Sequence, residues 1–354
     1  MRFDFVPAGI RALAARCGWL ALSLVLFLGL VATALTAQSP NDAAYAKALA
    51  YAARTDAQAV LVMYRGRIVR ETYLRGGALT RRLLLASGSK SFVGVATLAA
   101  VHDGLLSLDE PVAAHLPAWR SDAGKSRITV RQLLSLESGL EPGRPGTGCG
   151  GRRATWADAI AARSIAPPGT RFAYGPYPFI TMGAAIEQAS GESFATYLSR
   201  RIFTPLGITV EWRLTCGDGK PQLAGGAAVT ARDWATFGEF IRRGGMHGDT
   251  RILPDSLVRQ LVRPSGSNPV YGLSWWLVGA TTQTRPALAP ESAPSDGAPP
   301  PTWMPADLFM AAGAGKQRLY VIPSRGLVIV RMGPVLGGRR FRDIDFLEPL
   351  LAPR

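Results

Sequence analysis

Lysine is scarce in this chain. Of its 40 cationic residues only five are lysine, and the rest are arginines scattered singly or in pairs. A net charge of +15 would by itself raise nucleic acid or an anionic membrane surface as a partner. Yet no basic run is interleaved with aromatics, and no zinc-finger or RNP-like pattern occurs, so no nucleic-acid partner is expected. The arginines read as a solvated surface, favourable beside anionic lipid. Histidine is scarcer still. His102, His115 and His247 stand far apart without ligand spacing, so no metal site is expected. Charged residues make up 18% of the chain and hydrophobic ones 47%, a balance that supports a folded core and excludes disorder over most of the length.

Charge is missing altogether from Cys17 to Asn41, "CGWLALSLVLFLGLVATALTAQSPN", and Arg2, Arg11 and Arg16 precede that run. A positive region followed by an apolar stretch of near-bilayer length reads as an export signal. Ala32-Thr33-Ala34 offers a small-x-small cleavage site, so residues 1–37 are either a signal peptide or an uncleaved N-terminal membrane anchor. Cys17 precedes the apolar core, which argues against a lipoprotein signal. On either alternative the body is exported, facing the periplasm or cell exterior, and membrane association runs through this segment. Cysteine is nearly absent from that body: only Cys149 and Cys216 remain. Two lone cysteines in an oxidising compartment tend to pair, so a Cys149–Cys216 disulfide is expected.

The elements follow from periodicity. "AYAKALAYAARTD" reads as a helix, and "AVLVMYRGRIVRETYL" alternates and turns at Arg65-Gly66 as a hairpin. A second hairpin, "QRLYVIPSRGLVIVRM", turns through Pro323 to Gly326. Hairpins at opposite ends of a chain pair most simply in one antiparallel sheet. Between them lie a small, apolar helix over 91–102, and "TVRQLLSLESGL", with a Thr129/Gln132 capping box and a stop at Gly139. "GESFATYLSRRIFTPLG" and "TARDWATFGEFIRRGG" are further helices, while 141–151 is a loop. The fold class is α+β: a sheet built from both ends of the chain, flanked by helices, with a mostly helical region inserted. Residues 38–120 and 251–354 form the two halves of the α/β part, 121–250 the helical region, and 284–301 a proline-rich spacer.

In "ASGSKSF", residues 86–92, two serines and a lysine stand in an apolar run. Residues three apart share a helix face, which joins Ser87 to Lys90 and leaves Ser89 unsuited to work with it. A serine hydroxyl needs a neighbouring base to become a nucleophile. Lysine serves only if desolvation lowers its pKa, and its apolar neighbours would do that. Lys90 is the only lysine with a serine three residues before it. Taken alone, this spacing equally describes a helix N-cap serine beside a snorkelling lysine.

Further segments point the same way: "DGLLSLDEPVAAHLPAW", "ITVRQLLSLESGL", "PPGTRFAYGPYPFITMGAAIEQASGESFATYLSRRIFTPLGI", "GGAAVTARDWATFG", "YGLSWWL" and "GAGKQRLYVIPSRGLVIVRMG". With "ASGSKSF" and in this order, over roughly residues 55–335, they resemble the serine β-lactamase-like superfamily, in which Ser-x-x-Lys opens a helix. The chain looks most like the group of class C β-lactamases, family VIII esterases and 6-aminohexanoate-dimer hydrolases.

The resemblance implies Ser87 as the acylated nucleophile, Lys90 as its base and Tyr174, of Tyr174-Gly175-Pro176, as acid/base. The family's Tyr-x-Asn asparagine is absent. The third motif, usually Lys-Thr-Gly, reads Ala311-Ala312-Gly313, with Ala314 following. Gly313 permits close approach, and the N–H of Ala314 would join that of Ser87 in an oxyanion hole. Lys316 and Gln317 lie near enough to line the pocket, with a structural role open for Gln317. Trp275 and Trp276 flank it; Trp275 is taken as the pocket residue, although their facing is not readable. The missing lysine and threonine would bind a substrate carboxylate, which favours a small ester or linear amide over a β-lactam. No cofactor is implied. The alternatives are a penicillin-binding D-alanyl-D-alanine peptidase or β-lactamase, and a silent, membrane-tethered binding protein of the same fold.

Overall fold

The computed structural model describes residues 40–144, 149, 154–278, 300–337 and 340–353. The apolar N-terminal segment and nearly all of the proline-rich spacer lie outside them. Among the described residues no helix is long and apolar enough to cross a membrane.

Arg65 and Gly66 both take positive φ, 48° and 83°, the backbone that lets a two-residue turn follow the twist of its strands. That turn joins β1 (Ala59–Tyr64) to β2 (Arg67–Tyr73). Next come β3 (Leu83–Leu84), β4 (Glu211–Trp212), β5 (Ala227–Val229), β6 (Met246–His247) and β7 (Thr250–Arg251). The last four are β8 (Trp276–Leu277), β9 (Phe309–Gly313), β10 (Gln317–Ile322) and β11 (Leu327–Met332). The hairpins from the two ends pair antiparallel, Ala59 opposite Met332 and Tyr64 opposite Leu327. The resulting six-stranded order is β2-β1-β11-β10-β9-β8. The class is α+β, as the sequence implied.

Helices cover the sheet on both faces, which explains why β10 and β11 are buried end to end. On one side lie α1 (Asp42–Arg54), whose Tyr45 hydroxyl donates to Val60 O at 3.3 Å, and the C-terminal helix Asp343–Leu351, whose Phe346 stacks on Tyr320 at 6.1 Å. On the other lies Ala231–Arg242. There a Cβ on Gly238 would meet Leu319 Cδ1 at 2.7 Å and Val328 Cγ1 at 2.8 Å, so only glycine lets this helix sit so close. Helix α2 (Lys90–His102) is buried from Lys90 to Ala100. Apart from the main sheet, β3, β5 and β4 form a small three-stranded sheet in the order β3-β5-β4.

Two expectations need correcting. The helix opened by the Thr129/Gln132 capping box, α3 (Val130–Leu134), stops well short of Gly139. Leu136 turns into left-handed backbone at φ 62°, which no helix can continue. The segment after Ser193 is not one regular helix either. A π-turn over Ser199–Phe203 separates Phe194–Leu198 from Thr204–Leu206. Pro205, with no N–H to offer the preceding turn, accounts for the widening.

Candidate functional site

The turn before α2 decides which serine can react. Ala86 sits at φ 47°, a strained conformation for a residue with a Cβ, and starts a 3₁₀ turn over Ala86–Ser89. Ser89 Oγ donates to Ala86 O at 2.8 Å and accepts from Ala227 N at 3.1 Å, so it staples the turn to β5. Ser91 Oγ donates to Gly88 O at 2.7 Å. Both are fully buried in structural bonds. Ser87 alone is half-buried, and its Oγ lies 3.0 Å from Lys90 Nζ.

Lys90 is 4% exposed. Its Nζ donates to Ala224 O at 2.9 Å and lies 4.8 Å from the centre of the Tyr174 ring and 5.6 Å from that of Phe179. Burial lowers its pKa from the ordinary lysine value, and the opposing pull of Tyr174 does not make up the difference. Protonated, the ammonium donates to Ser87 Oγ. Neutral, it presents a lone pair to the Ser87 hydroxyl, which is the arrangement proton abstraction requires. Tyr174 is held by its own turn. Ala173 N donates to Leu136 O at 2.9 Å and Tyr177 N to Pro142 O at 3.1 Å. A Cβ on Gly175 would lie 2.0 Å from Pro142 O, so the loop presses directly on the tyrosine's neighbour. Pro176 then caps α4 (Tyr177–Ser190).

The end of β9 closes the other wall. A Cβ on Gly313 would lie 2.0 Å from Leu85 O and 3.0 Å from Gly88 N, which brings Gly313 and Ala314 against the turn that carries Ser87. Of the residues named from sequence, Ser87, Lys90, Tyr174, Gly313 and Ala314 therefore lie around one point in the fold.

Gln317 and Trp275 do not join them. Gln317 is fully buried, its Nε2 donating to Gly333 O at 2.6 Å and its Oε1 accepting from Gly333 N at 3.0 Å. It clamps β10 to the end of β11, with both ends of its amide taken up by the Gly333 backbone. Trp275 is equally buried and stacks on Phe237 at 6.2 Å, with Phe309 edge-on at 5.3 Å. Its neighbour Trp276 is the site tryptophan: it stacks on Tyr174 at 5.8 Å and meets Tyr271 edge-on at 4.8 Å. Burial, with Tyr174 adding to it, pushes the Tyr271 phenol well above its ordinary pKa, so it stays protonated. Ala224, the backbone partner of Lys90, was not singled out from sequence.

Cys149 and Cys216 form a disulfide with Cα atoms 5.5 Å apart. Among the described residues no group of His, Cys, Asp and Glu is arranged to hold a metal ion.

Known proteins share this arrangement of elements. A family model described as Beta-lactamase matches residues 43–347. The chain is 36% identical over 144 residues to penicillin-binding protein 4 of Amycolatopsis lactamdurans, covering 38% of this chain and 37% of that protein. It is 26% identical over 137 residues to protein flp of Staphylococcus aureus, covering 37% and 28%. The chain thus spans well under half the length of these curated relatives. Among solved structures, a D-stereospecific amidohydrolase from Streptomyces sp. superposes with a TM-score of 0.63 at 19% identity, covering 88% of this chain and 98% of that one. A penicillin-binding protein homolog from Caulobacter crescentus gives 0.65 at 16% identity, with 89% and 97% covered. At such identities the structures speak for the fold, while the family model spans most of the chain: the protein belongs to the Beta-lactamase family, within the serine β-lactamase-like superfamily.

Proposed function

We propose that this protein is an exported serine hydrolase that cleaves ester or linear amide bonds through an acyl-enzyme on Ser87. The observation that carries the reading is the 3.0 Å approach of Ser87 Oγ to a buried amine whose pKa is lowered. Lys90 takes the hydroxyl proton as Oγ bonds to the substrate carbonyl. The N–H groups of Ser87 and Ala314 hold the tetrahedral oxyanion. Tyr174 protonates the departing alcohol or amine and is reprotonated from Lys90. Water then attacks the acyl carbon, its proton passes to the same pair, and Ser87 regains its own. The absence of the Lys-Thr pair ahead of Gly313 leaves no cation there for a substrate carboxylate, which supports a small, uncharged ester or amide. Export is part of the same reading, and the disulfide, at home in an oxidising compartment, supports it.

Turnover of short p-nitrophenyl esters by wild type and Ser87→Ala tests this: the mutant loses activity and also fails to capture a fluorophosphonate. Unchanged turnover in the mutant refutes it. One observation favours a second reading, a penicillin-binding peptidase: the 36% identity to penicillin-binding protein 4. Stable labelling of Ser87 by a fluorescent penicillin, without ester turnover, would select it.

A further inference from the structure

The turn between β9 and β10, residues 313–317, gives the site one backbone N–H, yet its carbonyls have unusual partners. Arg318, fully buried, donates through Nη1 to Gly313 O at 3.3 Å and to Gln317 O at 3.1 Å. Arg331, also fully buried, donates through Nη1 to Gly315 O at 2.7 Å and to Lys316 O at 3.1 Å. Two guanidinium groups therefore hold four carbonyls of one short turn. Asp343, at the start of the C-terminal helix, aims the first of them: Arg318 Nε donates to Oδ1 at 2.7 Å and Nη2 to Oδ2 at 3.3 Å. The Tyr320 hydroxyl also donates to Oδ1, at 2.5 Å. Burial opposes the charge on Arg318, but Asp343 and Tyr320 together outweigh it and raise its pKa, so the group stays cationic.

A buried ion pair adds little stability over apolar residues of the same size, so stability alone does not account for a charge here. The Gly313 carbonyl and the Ala314 N–H belong to one peptide group. A cationic donor on the carbonyl draws electron density out of the amide, which strengthens the opposite N–H as a donor and fixes the plane in which it points. We propose that Arg318, set by Asp343, is a positioning residue for the oxyanion hole: it orients and polarises the Gly313–Ala314 peptide toward the tetrahedral intermediate. The proposal rests on the reading of Ala314 as an oxyanion donor. It ties the C-terminal helix to the chemistry without any residue of that helix touching substrate.

Arg318→Met, assayed on a p-nitrophenyl ester and the matching thionoester, tests it. Sulfur accepts hydrogen bonds poorly, so a thionoester gains little from the oxyanion hole in any variant. The expected loss in ester kcat is about ten- to a hundredfold, a fraction of what removing a donor outright costs, with KM within about twofold. Thionoester turnover then changes by less than about threefold, and Arg318→Lys, which keeps the charge, recovers part of the ester rate. Ester kcat equal to wild type in the folded variant, or equal losses on both substrates, overturns the proposal. Should Arg318→Met unfold because Asp343 is left buried without its cation, Arg318→Met/Asp343→Asn removes both charges of the pair, keeps an acceptor for the Tyr320 hydroxyl, and carries the same comparison. Ser87→Ala runs alongside. Ester turnover indifferent to Ser87→Ala sinks the hydrolase reading and this inference with it, whereas Ser87-dependent turnover indifferent to Arg318 overturns the inference alone.

Discussion

Replacing Gly313 by alanine puts one methyl group where the site has no room. Gly313 sits at φ −137°, extended backbone open to any residue, so the objection is space and not conformation. The new Cβ would start 2.0 Å from Leu85 O, 3.0 Å from Gly88 N and 3.1 Å from Leu85 C. Real Cβ atoms essentially never come within 3.0 Å of another atom, so β9 and the Ser87 turn must part by about 1 Å. Neither wall gives easily: Leu85 N donates to Ala227 O at 2.9 Å, and β9 is paired on both edges. Overpacking of this kind costs about 1–3 kcal/mol. A displacement near 1 Å between nucleophile and oxyanion donors costs on the order of a hundredfold in rate. Gly313→Ala should thus lower kcat on a p-nitrophenyl ester by about a hundredfold and lower the melting temperature by several degrees. Gly191→Ala is the control. Gly191 has φ 72° with nothing within 4 Å of the added Cβ, so it loses roughly 1 kcal/mol to backbone strain and keeps its kcat. If Gly313→Ala turns over esters within twofold of wild type, β9 does not press on the nucleophile turn and Ala314 is no oxyanion donor.

Three further outcomes are expected. Because Lys90 loses its proton below the ordinary lysine range, kcat/KM rises with pH through that ionisation and levels off before the ordinary range is reached. A pH–rate profile lacking an acid limb would contradict the assigned base. The sign carries over to stability. The unfolded chain holds this proton in the window between the lowered pKa and the ordinary one, so this group makes stability rise with pH there. Lys90→Met should remove that rise, seen in denaturant midpoints against pH, and cut kcat by roughly 10²- to 10⁴-fold. Opening the Cys149–Cys216 link, which closes 67 residues of sequence, by Cys149→Ser/Cys216→Ser should cost about 4 kcal/mol from chain entropy, read as a lower denaturant midpoint. An unmoved midpoint would mean the link carries no stability.

What could be read beforehand was local. Both hairpins declared themselves through period-two alternation and turn residues, and Ser87 met Lys90 because three residues along a helical turn is a fixed geometry. What could not be read depended on neighbours distant in sequence. Of Trp275 and Trp276, alternation says only that one faces each way. The choice of Trp276 depends on which face of β8 meets Tyr174. Gln317 finds its partners on Gly333, sixteen residues away, only once β10 and β11 are in register. Ala224 holds Lys90 through a carbonyl, a group every residue has, so its side chain carries no signal. Leu136 and Ala86 adopt left-handed backbone that their residue types ordinarily avoid, and so the end of α3 and the strain before Ser87 were both hidden.

These invisible contacts share a logic. Two segments carry the three side chains proposed to react, and each is held by backbone from elsewhere in the chain. Lys90 hangs from Ala224 O, the Tyr174 turn leans on Pro142 O, and the Ser87 turn is pinned between Ala227 and Gly313. The disulfide joins Cys149, on the chain beyond Pro142, to Cys216, on the chain before Ala224. A covalent tie thus runs between the supports of the phenol and of the amine. Such bracing has a physical reason in this site. Burial lowers the pKa of Lys90, so in the base role proposed above attraction between charges does less to orient it. A neutral amine is placed by hydrogen-bond geometry and packing, and those act only within a few tenths of an ångström. A site that relies on such an amine therefore needs walls that do not move.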